Sequence, residues 1–295
     1  MAVPEIDNAQ VIEFSAQVHE AAQQGKARLR PYVMIKPMSG DIFAYDGLGQ
    51  VEAAEITTRH TPIVFSDISH NRRKISRRRY ALTLPIDASD VRGMLLSPQS
   101  GYAMACAKAM ERVFDRVVVE ALFASVYTGR DFGTTVTYAA DGVQTVTATT
   151  GLNYEKLLEI NQNFIDKEVG NDVPVAKIMG ITGDEHTALM KENELVNGDY
   201  SRQYVVDAGE IVKANGITLV KFAGGVTTPI LEVSGGVRNC FCMAQNGMCV
   251  GMSKEMAISI KDRPDLYETT QVEIVFELGA VRTEGVLVQL VTTTD

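Results

Sequence analysis

The 295-residue chain is 45% hydrophobic and 22% charged, which supplies a sizeable core and excludes wholesale disorder. No run approaches the ~18 consecutive apolar residues of a membrane helix. The formal charge is −9, yet six of the eight residues from Arg72 to Arg79 are cationic, so the rest of the chain is more acidic still.

Residues 9 to 24, AQVIEFSAQVHEAAQQ, predict a short amphipathic helix with Val11, Phe14, Val18 and Ala21 or Ala22 on one stripe; Gly25 stops it and KARLRPYV leads away as an arm. From about 40 to 86 the chain has no helical period, only β-branched segments ending in YALTLPI, where Tyr80, Leu82, Leu84 and Ile86 alternate. This predicts a long hairpin. Limbs of about 20 residues at 3.3 Å each would reach roughly 60 Å, against a radius of gyration of about 19 Å for a compact chain of this size. A ribbon that leaves its own globule is marginal in water and exposes unpaired edges, so a neighbouring molecule is expected to hold it.

Next, SPQSGYAMACAKAMERVFDRVVVEALFAS predicts a long spine helix. Ser97 is its N-cap, Pro98 its first residue, and Tyr102, Cys106, Ala109, Val113, Val117, Ala121 and Leu122 form its apolar stripe. The segment TTVTYAADGVQTVTATT suggests a hairpin turning at Asp141-Gly142. A second domain opens near Gly151: Asn153 caps YEKLLEINQNFIDKE, VAKIMGI is a buried strand, and Asp184 starts a short helix in GDEHTALMKEN. Asn215-Gly216 and Asn246-Gly247 are two-residue hairpin signals, and strands around Gly279 and Gly285 close the chain.

Catalytic motifs are missing: there is no GxGxxG, P-loop, GxSxG, SxxK or HExxH, and His19, His60, His70 and His186 fall in different predicted elements. Neither an enzyme nor a cofactor is expected. A hairpin at Asn246-Gly247 would pair residue 244 with 249 and 242 with 251, which puts Cys240, Cys242 and Cys249 on one face. Zinc wants four ligands and no fourth is evident, so thiols packed under a hairpin are expected, without metal. The opening MAVPEIDNAQ lacks the basic-then-apolar layout of a signal peptide, so synthesis in the cytoplasm is expected, and with it reduced cysteines, Cys106 included.

The basic cluster has three readings. Nucleic-acid binding would call for interleaved aromatics and an overall basic face, whereas only Tyr80 adjoins it. A solvated charge run is the second. Strand alternation divides the six cations between two faces, which suits the third, contacts with carboxylates of a neighbour.

The segments in this order resemble the major capsid protein of tailed bacteriophages, with its Hong Kong 97-like α+β fold. RHTPIVFSDISHNRRKISRRRYALTLPIDASDVRGMLLSPQSGYAMACAKAMERVFDRVVVEAL is similar to that family's basic loop segment and spine helix. ENELVNGDYSRQYVVDAGEIVKANGITLVKF is similar to its axial-domain passage, and MCVGMSKEMAISIKDRPDLYETTQVEIVFELGAVRTEGVLVQL to its closing strands.

The resemblance implies an N-terminal arm (1–38), an extended loop (39–86), a peripheral domain with the spine helix (87–150 and 253–295) and an axial domain (151–252). It implies a shell of pentamers and hexamers around double-stranded DNA, made in the host cytoplasm and residing in the virion. Arg72, Arg73, Lys74, Arg77, Arg78 and Arg79 on the loop would contact an adjacent subunit. An encapsulin-type cargo shell is the near alternative. A covalent cross-link through Lys74 is not expected, and the short arm points to a separate scaffolding protein, with a portal as a further partner.

Overall fold

The computed structural model describes residues 24–53, 55, 58, 65–86, 99–147, 150–192, 195, 206–207, 210–225, 228–266 and 269–294. The amphipathic helix expected over 9–24 and the Ser97-Pro98 helix start lie outside the described residues, apart from Gln24. The chain divides into two compact units. One takes the described parts of Met1–Lys26, Arg79–Arg112 and Lys254–Phe276; the other takes those of Ala27–Arg78, Val113–Ser253 and Glu277–Asp295.

In chain order, β1 (Met34–Pro37), β2 (Ile42–Leu48), β3 (His70–Ser76) and β4 (Arg78–Ile86) precede the spine helix α1 (Gln99–Phe123). Then come β5 (Val126–Thr128), β6 (Thr134–Val136), β7 (Gln144–Val146), α2 (Tyr154–Asp166), β8 (Lys177–Ile181) and α3 (Gly183–Met190). Short strands β9 (Val206–Asp207), β10 (Glu210–Ile211) and β11 (Lys213–Ala214) lead to β12 (Ile217–Lys221), β13 (Val233–Ser234) and β14 (Val237–Ala244). Two long strands, β15 (Met248–Arg263) and β16 (Thr269–Arg282), and the final β17 (Val288–Thr294) complete the chain.

The larger unit is organised by a seven-stranded sheet in the order β11-β12-β8-β14-β17-β7, with β13 paired to β14. Its centre is apolar because β8 and β14 are buried on both faces: Ile178, Met179 and Gly180 lie opposite Met243, Cys242 and Phe241 across an antiparallel ladder. Helix α2 starts where expected, with the Asn153 side chain accepting from Lys156 N at 3.0 Å, and buries Leu157, Ile160 and Phe164 at helical spacing. Lys156 is buried too, and its ammonium donates to Thr150 O (2.6 Å) and Thr292 O (3.1 Å). Helix α3 starts at a capping box of Thr182 and Glu185, so its cap precedes the expected Asp184.

The Asn215-Gly216 turn is the hairpin its dipeptide signals, with Ala214 opposite Ile217 and both central residues at positive φ. Asn246-Gly247 is not. β14 belongs to the seven-stranded sheet, whereas β15 lies in a second sheet ordered β1-β15-β16-β4, so the expected 244–249 and 242–251 pairs do not form. The chain turns a corner there: Gly247 N donates to Ala244 O at 2.9 Å, and a Cβ on Gly247 would press on that carbonyl and on Leu287. Asp141-Gly142 is also a corner, because β6 pairs with β5 while β7 runs parallel to β17. In both places the turn residues are read correctly and the strands they join pair elsewhere.

In the smaller unit, a 3-10 turn at Pro264–Leu266 follows β15. Arg263 clasps Asp265 (2.7 and 2.6 Å) and Gln271 (2.8 Å) there, and Thr270 donates to Asp262 at 2.9 Å. The spine helix, 25 residues or about 38 Å long, buries Cys106, Met110, Phe114, Val117, Val118 and Leu122. Its stripe is therefore rotated slightly from the expected one, with Ala109, Val113 and Ala121 only half-buried. Asp115 is fully buried, because its carboxylate accepts from the backbone of Arg28 (2.9 Å) and Leu29 (3.0 Å) and ties the incoming chain to the helix.

Candidate inter-subunit loop and its anchor

β2 and β3 form an antiparallel ribbon from Ile42↔Ser76 to Leu48↔His70, continued by Gly49 N donating to Ser69 O at 2.8 Å. The ribbon rests on a small apolar cluster of Met38, Ile75, Val126, Cys249 and Val281, with Met34, Phe43 and Tyr45 around it. β5 joins β3 at Arg73↔Thr128. Strand alternation turns Arg73 and Ile75 inward and leaves Arg72 and Ser76 outside. Ser76 comes so close to β16 that a Cβ on Gly279 would lie 2.2 Å from its carbonyl oxygen, so only glycine fits at 279.

The six cations have unequal surroundings. Arg72 pairs across the ladder with Asp46 (2.6 Å), both exposed, and that hydrogen bond holds the Asp46 carboxyl below its ordinary range. Arg77 reaches Asp41 and, at 3.1 Å, Glu277. Arg78 stands 3.8 Å from Glu120 of α1. The Lys74 ammonium sits 5.8 Å from the Tyr127 ring centroid and has no carboxylate partner among the described residues. Arg79 is exposed.

Arg73 is different. It is 3% exposed and grips both oxygens of Asp141 at 2.7 Å. The same carboxylate accepts from Arg282 Nε at 3.2 Å, and Arg282, fully buried, donates through Nη1 to Leu122 O (2.6 Å), Ala124 O (2.7 Å) and Ala121 O (3.4 Å). One carboxylate thus serves two guanidinium groups, and the negative end of the spine helix supplies the balancing potential. Burial pushes the Arg282 guanidinium below its ordinary pKa, against the pull of Asp141. Arg73, expected with the others at a contact with a neighbouring subunit, is turned inward onto Asp141 within its own chain.

A model of the phage capsid protein family matches residues 6–291. The chain belongs to that family. Its fold is that of tailed-phage capsids, the Hong Kong 97-like α+β fold. The capsid of cyanophage P-SCSP1u matches with a TM-score of 0.71 at 13% identity, over 98% of this chain and 94% of that one. The capsid of the Helicobacter pylori bacteriophage KHP30 gives 0.73 at 10% identity, over 100% and 98%. A structure from Mycobacterium phage Che8 gives 0.72 at 11%, over 96% and 97%. No curated protein matches the chain. This capsid protein self-assembles into the icosahedral shell of the virion.

Two further clusters brace the capsid subunit. Arg238, 5% exposed, meets Glu185 at 3.0 Å and Asp184 at 3.1 Å. Burial raises the Glu185 pKa, but hydrogen bonds from the Thr182 hydroxyl and backbone N–H and from the Thr293 hydroxyl outweigh it and hold the carboxyl below its ordinary value. His186 Nε2 accepts from Ile211 N at 3.2 Å, which makes it a structural acceptor; burial lowers its pKa.

The cysteines are all buried free thiols. Cys240 and Cys242 share a face of β14 while Cys249 lies in the other sheet, and burial pushes the Cys249 thiol up to about 11. No group of three or more potential metal-ligating side chains occurs among the described residues.

Asp141 and Arg282 went unread in the sequence as site residues. Asp141 carried only a turn signal, and Arg282 only its place in the Gly279-Ala280-Val281-Arg282 stretch of the closing strands, with no role attached.

Proposed function

We propose that this capsid protein is the major coat subunit of a tailed phage, assembling through pentamers and hexamers into a shell around double-stranded DNA, with its extended loop (39–86) laid across an adjacent subunit. The observation that carries this reading is the ribbon itself: it is fixed at its base by Ile75 and the Arg73–Asp141–Arg282 cluster, while residues 65 to 72 beyond it are all exposed. Residues 1–38 would be the arm, 87–150 with 253–295 the peripheral domain, and 151–252 the axial domain around the capsomer axis.

In this reading the cations divide their work. Arg73 sets the direction in which the loop leaves. Arg72, Arg77 and Arg78 stiffen its root through pairs within the chain; they and Arg79 share their exposed faces with a neighbour, and Lys74 meets a carboxylate of the next copy. Each exposed pair contributes only ~0–1 kcal/mol, but repetition around a closed lattice multiplies the effect. The subunit acts as a structural protein without a catalytic step, made in the host cytoplasm, with a separate scaffolding protein and a portal as partners. The net charge of −9 favours loose enclosure of DNA without sequence-specific contacts.

Negative-stain microscopy of the expressed protein, with and without a scaffolding partner, tests this; subunits that never form particles under any condition would sink it. Reversing Arg77, Arg78 and Arg79 to Glu is expected to impair assembly while circular dichroism stays unchanged. Normal shells from that variant would remove the loop-root cations from the contact.

A further inference from the structure

The long strand β15 has one edge that its own chain leaves open. β16 runs along one side of it and β1 along the other, but β1 pairs only Cys249 to Met252. From Ser253 to Arg263 that second edge has no strand beside it among the described residues. An open edge of this length is a template for another chain, and it carries Ile258 at 48% and Ile260 at 49% exposure.

The backbone limits how a partner can sit. Met252 O accepts from Met38 N at 2.9 Å, so Met252 turns its peptide groups toward the open side. Strand alternation gives the same direction to Lys254, Met256, Ile258, Ile260 and Asp262. An antiparallel partner must exchange its bonds with these residues. A second copy of the same edge does so when a two-fold axis passes through Ile258.

The side chains fit that axis. The stretch KEMAISIKD then matches itself end to end: Lys254 lies opposite Asp262, Met256 opposite Ile260, and Ile258 opposite its own copy. These three kinds of pair share one face, so an apolar stripe crosses the joint with an ion pair at each end. On the other face Glu255 lies opposite Lys261 and Ala257 opposite Ser259. Arg263, held by Asp265 and Gln271, lies opposite Ser253, so no like charges meet.

The neighbouring registers that the same bonding permits set Lys254 on Ile260 or Met256 on Asp262, so charge and hydrophobicity choose the same alignment. The charges are also available. Lys254 and Lys261 are exposed and have no carboxylate among the described residues, and Asp262 is exposed and accepts there only from the Thr270 hydroxyl, at 2.9 Å.

We infer that the 253–263 edges of two copies pair antiparallel across a two-fold axis through Ile258 and join their sheets into one. The contact is isologous, with one patch serving both partners. Two-fold axes are part of icosahedral symmetry, so the shell supplies a place for it. The pairing needs the shell but not the proposed lay of the loop.

The test uses the full chain with Ile258→Cys, whose native thiols are all buried, assembled and then mildly oxidised. Cα atoms of such a directly opposed pair lie about 5.5 Å apart, within disulfide reach, so a disulfide-linked dimer is the expected main product. Lys254→Cys would place its two thiols about 27 Å apart in this register and should stay monomeric. Mixed Met256→Cys and Ile260→Cys chains should dimerise only with each other. Particles of normal yield in which Ile258→Cys gives no dimer would overturn the pairing and leave the shell and the loop's lay intact. Equal dimer from Lys254→Cys would overturn it as an unregistered edge, and so would capture of 253–263 by an accessory protein or by another segment of this chain.

A second arm needs no disulfide. Lys254→Asp sets two pairs of like charges across the axis and is expected to cut particle yield about tenfold with unchanged circular dichroism. Adding Asp262→Asn removes the repulsion and keeps an acceptor for Thr270, so it should restore most of the yield. A double variant that assembles no better than Lys254→Asp alone would overturn the register.

Discussion

Arg72 and Arg73 are adjacent in sequence and identical in chemistry, yet they face opposite sides of one strand. Arg72 reaches Asp46 with both side chains in solvent, while Arg73 holds Asp141 in a pocket where neither side chain exceeds 8% exposure. Removing one partner from the first pair returns the other to water. Removing Asp141 from the second strands two guanidinium groups in the interior. A run of like charges is therefore not one feature: the strand's two-residue period sorts it into a root that fixes the loop and an outer face that solvent or a neighbour can use.

The largest test of that contrast is Asp141→Ala, which leaves Arg73 and Arg282 buried without a counter-charge and is expected to cost ~3–5 kcal/mol in chemical denaturation. A loss no larger than that of a surface variant would end the distinction. Arg73→Met comes next, at ~1–3 kcal/mol, because Asp141 keeps Arg282 and the shape is largely conserved. Hydrogen exchange should then quicken in 42–48 and 70–76 before anywhere else, since the ribbon has lost its polar anchor and kept only the Ile75 cluster.

Arg238 offers the same contrast within one side chain, with Glu185 2% exposed and Asp184 70% exposed. The Glu185 pKa is lowered in the fold, so its contribution is fully present above the unfolded carboxyl value of about 4.3 and is lost as pH falls through the lower folded value. An acid titration of unfolding should show this limb in the parent, flattened in Glu185→Gln and nearly unchanged in Asp184→Asn. The smallest effect is expected for Arg72→Ala, whose unfolding midpoint should match the parent; a clear drop would mean that the ladder pair with Asp46 matters more than its exposure allows.

Much of the subunit was legible in the sequence because the deciding signals are local. Asn153 caps α2, Asn215-Gly216 makes its hairpin, β8 is the buried run KIMGI, and the chain from 42 to 48 and 70 to 86 is extended. The order of these segments carried the family resemblance. Corners were not legible. Asn246-Gly247 and Asp141-Gly142 specify a reversal of the chain, but not whether the flanking strands pair with each other or leave for different sheets. That choice is made by β1, β16, β17 and β8, which compete for the same edges.

The sequence by itself determined the elements, the acidic balance and the concentration of six cations between Arg72 and Arg79, since each is written in neighbouring residues. Only the tertiary structure decided which of those cations is buried. Arg73 finds Asp141 68 residues away, and its Nη1 also donates to Arg282 O, 209 residues away, at 3.4 Å. A buried charge is stable only where distant segments bring it a counter-charge and exclude water together, and no local pattern records that meeting.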